Sequence, residues 1–438
     1  MQTQIVMSST TTREADFSPS ASSPSAACNE RLRGKRVGVV MFSFYPNDPR
    51  PRRALESMVR EGMFVDLICL RGEGSPAHEL QGSVEVFRIP LTRRRGGMFA
   101  YLYQYAAFIF TSSLILAWRS FSRRYDLVHV HNMPDILVLS ALVPKMLGAK
   151  VILDLHDPMP ELMMTIFKLE QDSWKVRLLQ RLEKWSIARA NVVVTVSVTF
   201  KRVFSSRGCA PEKVQVVMNS PDGEIFPLLV PTRPVHASGK PFVIMYHGSL
   251  VERNGLDLAV EALALVRATL PEAELRIYGE STPFLDRVMD LAKSKGLQDA
   301  VHYLGPRRLE GLVGEIERCD VGVIPNHKNS FTDINTPTRI FEYLALGKPC
   351  IAPRTSGIQD YFDGESLIFF ESGDAQDMAR RMEYVFSHPA EVTEVVSRGQ
   401  EVFREHSWQK ERQRLIGVVS RLLDKGIKQA DFTKEAIL

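Results

Sequence analysis

Asn335–Arg354 reads NTPTRIFEYLALGKPCIAPR. It runs from a helix start, through one carboxylate on an otherwise apolar helix, to a buried strand. Asp320–Asn326 (DVGVIPN) just before it is a short apolar run of strand type. Thr336 is placed to cap the helix, and Pro337 suits its first position, where a missing N–H costs nothing. Ile340, Phe341, Leu344 and Ala345 recur at helical spacing and form the buried face. Gly347 and Pro349 stop the helix, and Cys350-Ile351-Ala352 opens the next strand. A helix that begins at the carboxyl end of a parallel strand turns free N–H groups and a positive dipole end toward an anion. Arg339 and Glu342, three apart, share one face near that start. A cation for phosphate beside a carboxylate for ribose hydroxyls suits a nucleoside diphosphate. The plainer alternative is a surface ion pair on an ordinary α/β helix.

The same alternation extends in both directions. Apolar strand runs occur at Val37–Phe42, Val65–Cys69, Val84–Ile89, Leu127–His131, Val151–Leu155 and Val192–Val196 in the first half. The second half has Phe242–Tyr246, Glu274–Tyr278, Val301–Tyr303, Val321–Pro325, Cys350–Ala352 and Ser366–Phe370. Continuous apolar strands bounded by helical patterns indicate parallel sheets covered on both faces. The expected fold is α/β, with two doubly wound Rossmann-like domains facing a central cleft. Residues 1–33 read as a disordered Ser/Thr/Ala-rich leader, 34–227 as the first domain and 228–240 as a Pro-rich linker. Residues 241–405 read as the second domain, and 406–438 as a helix that packs back on the first.

The chain's 438 residues allow two domains, and its 45% hydrophobic and 24% charged content is ordinary for a globular protein. A net charge of +4 gives no reason to expect nucleic acid. Five cysteines at 28, 69, 209, 319 and 350 form no CxxC and have no histidine at ligand spacing. They argue for a reducing, cytoplasmic setting and against zinc.

Chemistry-bearing residues collect at strand ends. Met41–Leu55 (MFSFYPNDPRPRRAL) reads as a rigid Pro-rich loop whose Arg50, Arg52 and Arg53 would hold an acceptor phosphate. Their alternative partners are Asp48 and Glu56. His156, in the strand-end turn of Leu153–Glu161 (LDLHDPMPE), is expected to point into the crevice, and His131 has the same placement. In Tyr246–Gly255 (YHGSLVERNG), Gly248 lets the backbone approach a ligand and Arg253 stands at the entry to a helix. Gly279-Glu280 repeats that arrangement after the strand LRIY.

Together these residues resemble the family-4 retaining glycosyltransferases of the GT-B fold, over about residues 35–425. FEYLALGKP and YHGSLVERNGLDL carry the resemblance most strongly, and PTRIFEYLALGKP with NDPRPRR looks like the branch that includes bacterial cell-surface polysaccharide enzymes. The resemblance implies transfer of a sugar, of hexosyl type, from a nucleotide-diphosphate donor to a glycan or lipid-linked acceptor. It implies retained configuration, no metal and no cofactor beyond the donor. The family's signature is two glutamates separated by seven residues. The second, on ribose, matches Glu342; the first would fall at Ile334, with Asp333 adjacent. The family's Lys-Gly pair is Asn254-Gly255 here, which transfers the diphosphate role to Arg253 and Arg339. The histidine that contacts the transferred sugar matches His156. The resemblance thus implies His156, Arg253 and Glu342 as catalytic, and Gly248, Arg253, Gly279, Asp333, Arg339 and Glu342 on the donor. Arg50, Arg52, Arg53 and His131 fall on the acceptor side. The rival readings are a nucleotide-sugar epimerase of the same fold and a non-catalytic sugar-nucleotide-binding scaffold.

Arg93–Arg95, Arg119, Arg123 and Arg124 flank Gly97–Trp118, 22 residues without a charge. That length meets the requirement of about 20 apolar residues for a membrane span. A span would, however, split the strands Val37–Phe42 and Leu127–His131 of one sheet across the bilayer. The expectation is a helix packed partly on the first domain and partly on an anionic membrane at its cytoplasmic face.

Overall fold

The computed structural model describes residues 30–91, 98–231 and 240–424. Most of the expected leader, Arg93–Arg95, residues 232–239 of the expected linker and residues 425–438 lie outside them. The first sheet contains β1 (Arg36–Phe44), β2 (Phe64–Leu70), β3 (His78–Gln81), β4 (Val84–Ile89), β5 (Leu127–His131), β6 (Lys150–Leu155), β7 (Val192–Thr195) and β8 (Val214–Val216). Their order is β3-β4-β2-β1-β5-β6-β7-β8. The second contains β9 (Phe242–His247), β10 (Ala273–Tyr278), β11 (Val301–Tyr303), β12 (Val321–Val323), β13 (Cys350–Pro353) and β14 (Ile368–Phe370), in the order β11-β10-β9-β12-β13-β14.

Among the described residues, β3 on β4 is antiparallel and the other pairings are parallel. In each sheet the strand order reverses beside the first strand, between β1 and β5 and between β9 and β12. These switch points open crevices at the strands' carboxyl ends.

Period-two alternation divides the first domain's core into two faces. Val40, Val128, Val130 and Leu153 point to one side, and Val39, Leu127 and Ile152 to the other. Leu415, Val418, Val419 and Leu422 of the helix Trp408–Leu423 complete the second face. Each contributes about 1.5–3 kcal/mol by burial, so the last described helix is part of the first domain's core.

Three features differ from the sequence reading. The Pro-rich stretch after β1 is not a loop throughout, because Pro49–Arg60 is helical. Proline at the first turn loses no helical hydrogen bond. The helix after β12 spans Thr338–Ala345 with Pro337 at its N-cap, while the Thr336 hydroxyl donates to the Gly357 carbonyl (2.7 Å). The chain leaves the first domain near Val217, ahead of the Pro-rich linker: Val217 packs in the first core, Met218 and Phe226 in the second.

The uncharged segment forms the helix Met98–Ser122 and packs on the first sheet through Phe108 and Leu116. Arg119 turns inward to Asp66 (3.0 Å) and Glu85. No helix among the described residues is long and apolar enough to cross a membrane.

Candidate functional site

The second domain's strand ends bring four separated segments together. Gly248, at φ +124°, follows β9; a Cβ there would stand 3.2 Å from Arg339 Cδ. A Cβ on Gly279 would collide with the Gly248 carbonyl, so these two loops meet backbone to backbone. Arg339 donates to the His247 carbonyl (2.7 Å) and to Asn326 Oδ1 (3.4 Å), and its guanidinium lies 4.7 Å from the Tyr246 ring centre. Glu342 Oε2 is 3.4 Å from His247 Nε2, and its side chain is 13% exposed. Burial raises the Glu342 carboxyl to about 7 despite the opposing pull of Arg339 and Arg53. Burial, with Arg339 beside it, holds His247 well below its usual range and therefore neutral.

Arg253 stands on the loop after β9, its guanidinium 5.9 Å from the Phe331 ring centre. Asp333 accepts from Ser356 Oγ (3.1 Å) and pairs with Lys328 (3.4 Å), while its neighbour Ile334 packs toward the first domain's core. The domains meet here: Thr165 donates to Asn329 Oδ1 (3.0 Å), and the Val198 amide donates to the Tyr361 hydroxyl (2.9 Å).

On the first domain's side Asn132 fixes the strand-end turns. Its Oδ1 accepts from the His156 amide (3.1 Å), and its Nδ2 donates to Asp135 (2.9 Å) and to the Asp157 carbonyl (2.8 Å). His156 Nδ1 is buried without a hydrogen-bond partner. Burial raises the Asp157 carboxyl, opposed by His156, Arg253 and Arg50, so it senses cations from both domains.

Residues 49–220 match the family described as glycosyl transferase 4-like domain, and residues 241–388 match glycosyl transferases group 1. The chain belongs to the family-4 glycosyltransferases of the GT-B fold. It is 26% identical over 196 residues to the putative colanic acid biosynthesis glycosyltransferase WcaL of Salmonella typhimurium, covering 44% of this chain and 47% of that one. Identity to the probable glycosyltransferase WbjE of Pseudomonas aeruginosa is 24% over 319 residues, covering 70% and 76%. The chain thus spans about half of the first relative and three quarters of the second. Sucrose-phosphate synthase from Thermosynechococcus elongatus shares the fold at TM-score 0.71 and 17% identity, over 89% of this chain and 99% of that one. Anabaena HepE in complex with UDP-glucose does so at TM-score 0.63 and 16% identity, over 88% and 99%.

In this family member the expected donor residues Gly248, Gly279, Arg339 and Glu342 converge at one strand-end site. The acceptor-side arginines behave differently. Arg50 is buried, with Nη2 on Asp154 Oδ1 (2.9 Å) and Nη1 on the Val217 carbonyl (3.0 Å). Arg53 is buried on the Ser220 carbonyl and Asn219 (2.6 Å), with Trp408 4.9 Å away. Both guanidinium groups are turned into the protein. Of the three, Arg52 is the more exposed; it lies 3.7 Å from Glu56, the partner its sequence position offered.

His131 is also turned inward. Its ring is tilted 35° against that of His129 (4.1 Å between ring centres) and lies 3.2 Å from Asp154, and burial lowers it to about 3. His129, His131 and Asp154 have metal-ligand spacing, but Arg50 already supplies the cation at that carboxylate. Arg50, Arg53 and His131 are therefore corrected from acceptor contacts to supports of the cleft wall. His247, Asn326, Asp157 and Asn132 were missed. His247 lay inside the motif YHGSLVERNG, but its approach to Glu342 depends on a fold contact 95 residues away in sequence.

Proposed function

We propose that the chain transfers a sugar from a nucleoside-diphosphate donor to a glycan or lipid-linked acceptor, with retention and without a metal. The observation that supports this most is the Arg339–Glu342 pair at the β9/β12 switch point, with Arg339 on the His247 carbonyl (2.7 Å) and Glu342 3.4 Å from the His247 ring. Glu342 is the ribose contact in this reading, and Arg253 and Arg339 neutralise the diphosphate. The carbon–oxygen bond to the diphosphate breaks as the acceptor oxygen bonds to the same face of the anomeric carbon. The acceptor's proton leaves with the phosphate oxygen. Stabilising charge on the leaving group is the main catalytic contribution, and His156 positions the sugar.

Asp333 takes the place next to the missing first glutamate, and Arg52 is the acceptor-side cation. Relatives named for colanic acid biosynthesis and a fold neighbour holding UDP-glucose favour polysaccharide or glycoconjugate synthesis. The reading places the enzyme in the cytoplasm, against the membrane that carries a lipid-linked acceptor. A thermal-shift panel of nucleoside diphosphates and nucleotide sugars tests the donor site. Stabilisation by one base series is expected, and no response to any member would count against the proposal.

A further inference from the structure

Among the described residues, the helix Met98–Ser122 leaves one long face without a partner. Tyr103, Phe110, Leu114, Trp118 and Phe121 are between 55% and 77% exposed. At about 100° per residue they fall within roughly 80° of one another, forming a single stripe. The opposite face, Phe108, Ser112, Leu116 and Ser120, is buried, with Leu116 against Gly38 of β1 and Ser112 Oγ 2.7 Å from Ser140 Oγ. Arg119, the only charge in the helix's 25 residues, is among the buried ones. An exposed apolar band of this length marks an interaction surface.

The surroundings identify its partner. Met146, 85% exposed, ends the helix Leu142–Met146, which packs on the same helix. Further along the same layer, the helix Trp174–Arg189 exposes Trp174 and Leu178. Arg177, Arg181, Lys184 and Arg189 are exposed on that helix, and its one acid, Glu183, is buried against Arg207. At the stripe's end Arg124 stands exposed, and Arg123 lies 3.3 Å from Glu85.

Across the Asp135–Ala141 turn, on which both helices pack, the exposed charge of the helix Trp174–Arg189 is positive. A two-fold contact with a second copy would oppose like charges, whereas an anionic leaflet offers both an apolar interior and negative headgroups. A crossover helix runs antiparallel to its strands, so the Tyr103 end lies nearest the carboxyl-end crevice.

We infer that this helical face docks the first domain on a bilayer containing anionic lipid, with the cleft mouth beside the headgroups. The inference deepens the proposed function by naming the docking face, but its test needs no donor. The full chain is floated with vesicles of phosphatidylcholine, with and without phosphatidylglycerol, in the absence of nucleotide. Binding is expected only with phosphatidylglycerol, and it should weaken at high salt as the charges are screened.

Phe110→Ser with Trp118→Ser should lower partitioning by at least about tenfold while leaving the melting temperature unchanged. Arg177→Glu with Arg181→Glu, on a separate helix, should lower it roughly fivefold or more per residue. Absence of flotation at low salt, or undiminished flotation of both double variants, overturns the inference. So does a dimer that Phe110→Ser with Trp118→Ser abolishes, because the face would then join two copies. Sugar transfer to a water-soluble acceptor separates failure of docking from failure of the proposed reaction.

Discussion

Glu342→Gln should strengthen the fold and weaken donor binding at the same time. The carboxyl rises from 4.5 to about 7 because burial outweighs Arg339 and Arg53. That rise corresponds to roughly 3 kcal/mol against the charged form. A raised carboxyl contributes stability fully below the unfolded value, and that stability is lost as pH rises through about 7. At pH 8 the glutamate is mostly ionised, so glutamine of the same shape removes a cost of up to about 3 kcal/mol. A gain of about 1–3 kcal/mol, or a few degrees in melting temperature, is expected at pH 8 and should shrink toward pH 5.

The same substitution removes a charged acceptor for ribose hydroxyls, worth about 1.5–3 kcal/mol, or roughly 10- to 150-fold in affinity. Calorimetric titration with the nucleoside diphosphate found by thermal shift, run beside thermal melts at pH 5 and 8, reads both effects. A lower melting temperature at pH 8 with unchanged affinity would refute the reasoning, because it would make Glu342 a structural partner of Arg339.

His156→Ala should lower turnover by roughly a hundredfold, the scale of one lost transition-state contact, while nucleoside diphosphate affinity stays within a factor of two or so; steady-state rates beside titration calorimetry check it. Burial pushes Asp135 up to about 7 and Glu183 to about 8, Glu183 also through its neighbour Asp135. The stability they contribute is complete below their unfolded values and is lost as pH rises through 7–8. Melting temperature should therefore fall between pH 6 and 9, and Glu183→Gln should flatten that slope. At Asp154, Arg50 and the two histidines outweigh burial and hold the carboxyl well below its usual range, so this group does not move in that window.

The parallel strands and the Thr338–Ala345 helix were legible because their apolar periodicity is local. β3 and β8 were not, since both are short edge strands with little apolar burial. The proximity of Arg339 and Glu342 was readable because they lie one turn apart on one helix. The acceptor arginines misled for the opposite reason: Asp154 lies 104 residues from Arg50, and the carbonyl acceptors at Val217 and Ser220 each lie 167 residues from the arginine they bind. A run of charges shows what a segment carries but not what neutralises it. His131 resembled His156 because both end strands, yet β5 turns His131 under the sheet toward Asp154. Helical length and lack of charge left Met98–Ser122 ambiguous between span and surface until Phe108, Leu116 and Arg119 fixed its inner face.

Proton NMR of the full chain with a panel of α-linked nucleotide sugars of gluco or galacto configuration and a lipid-linked acceptor tests the central claim most directly. The anomeric proton of the donor carries a small coupling. The account predicts that this signal disappears as a new glycoside appears with an equally small coupling and the nucleoside diphosphate is released. A product with the large coupling of the inverted anomer, a nucleotide sugar epimerised at a ring carbon, or a donor bound but unchanged would contradict it.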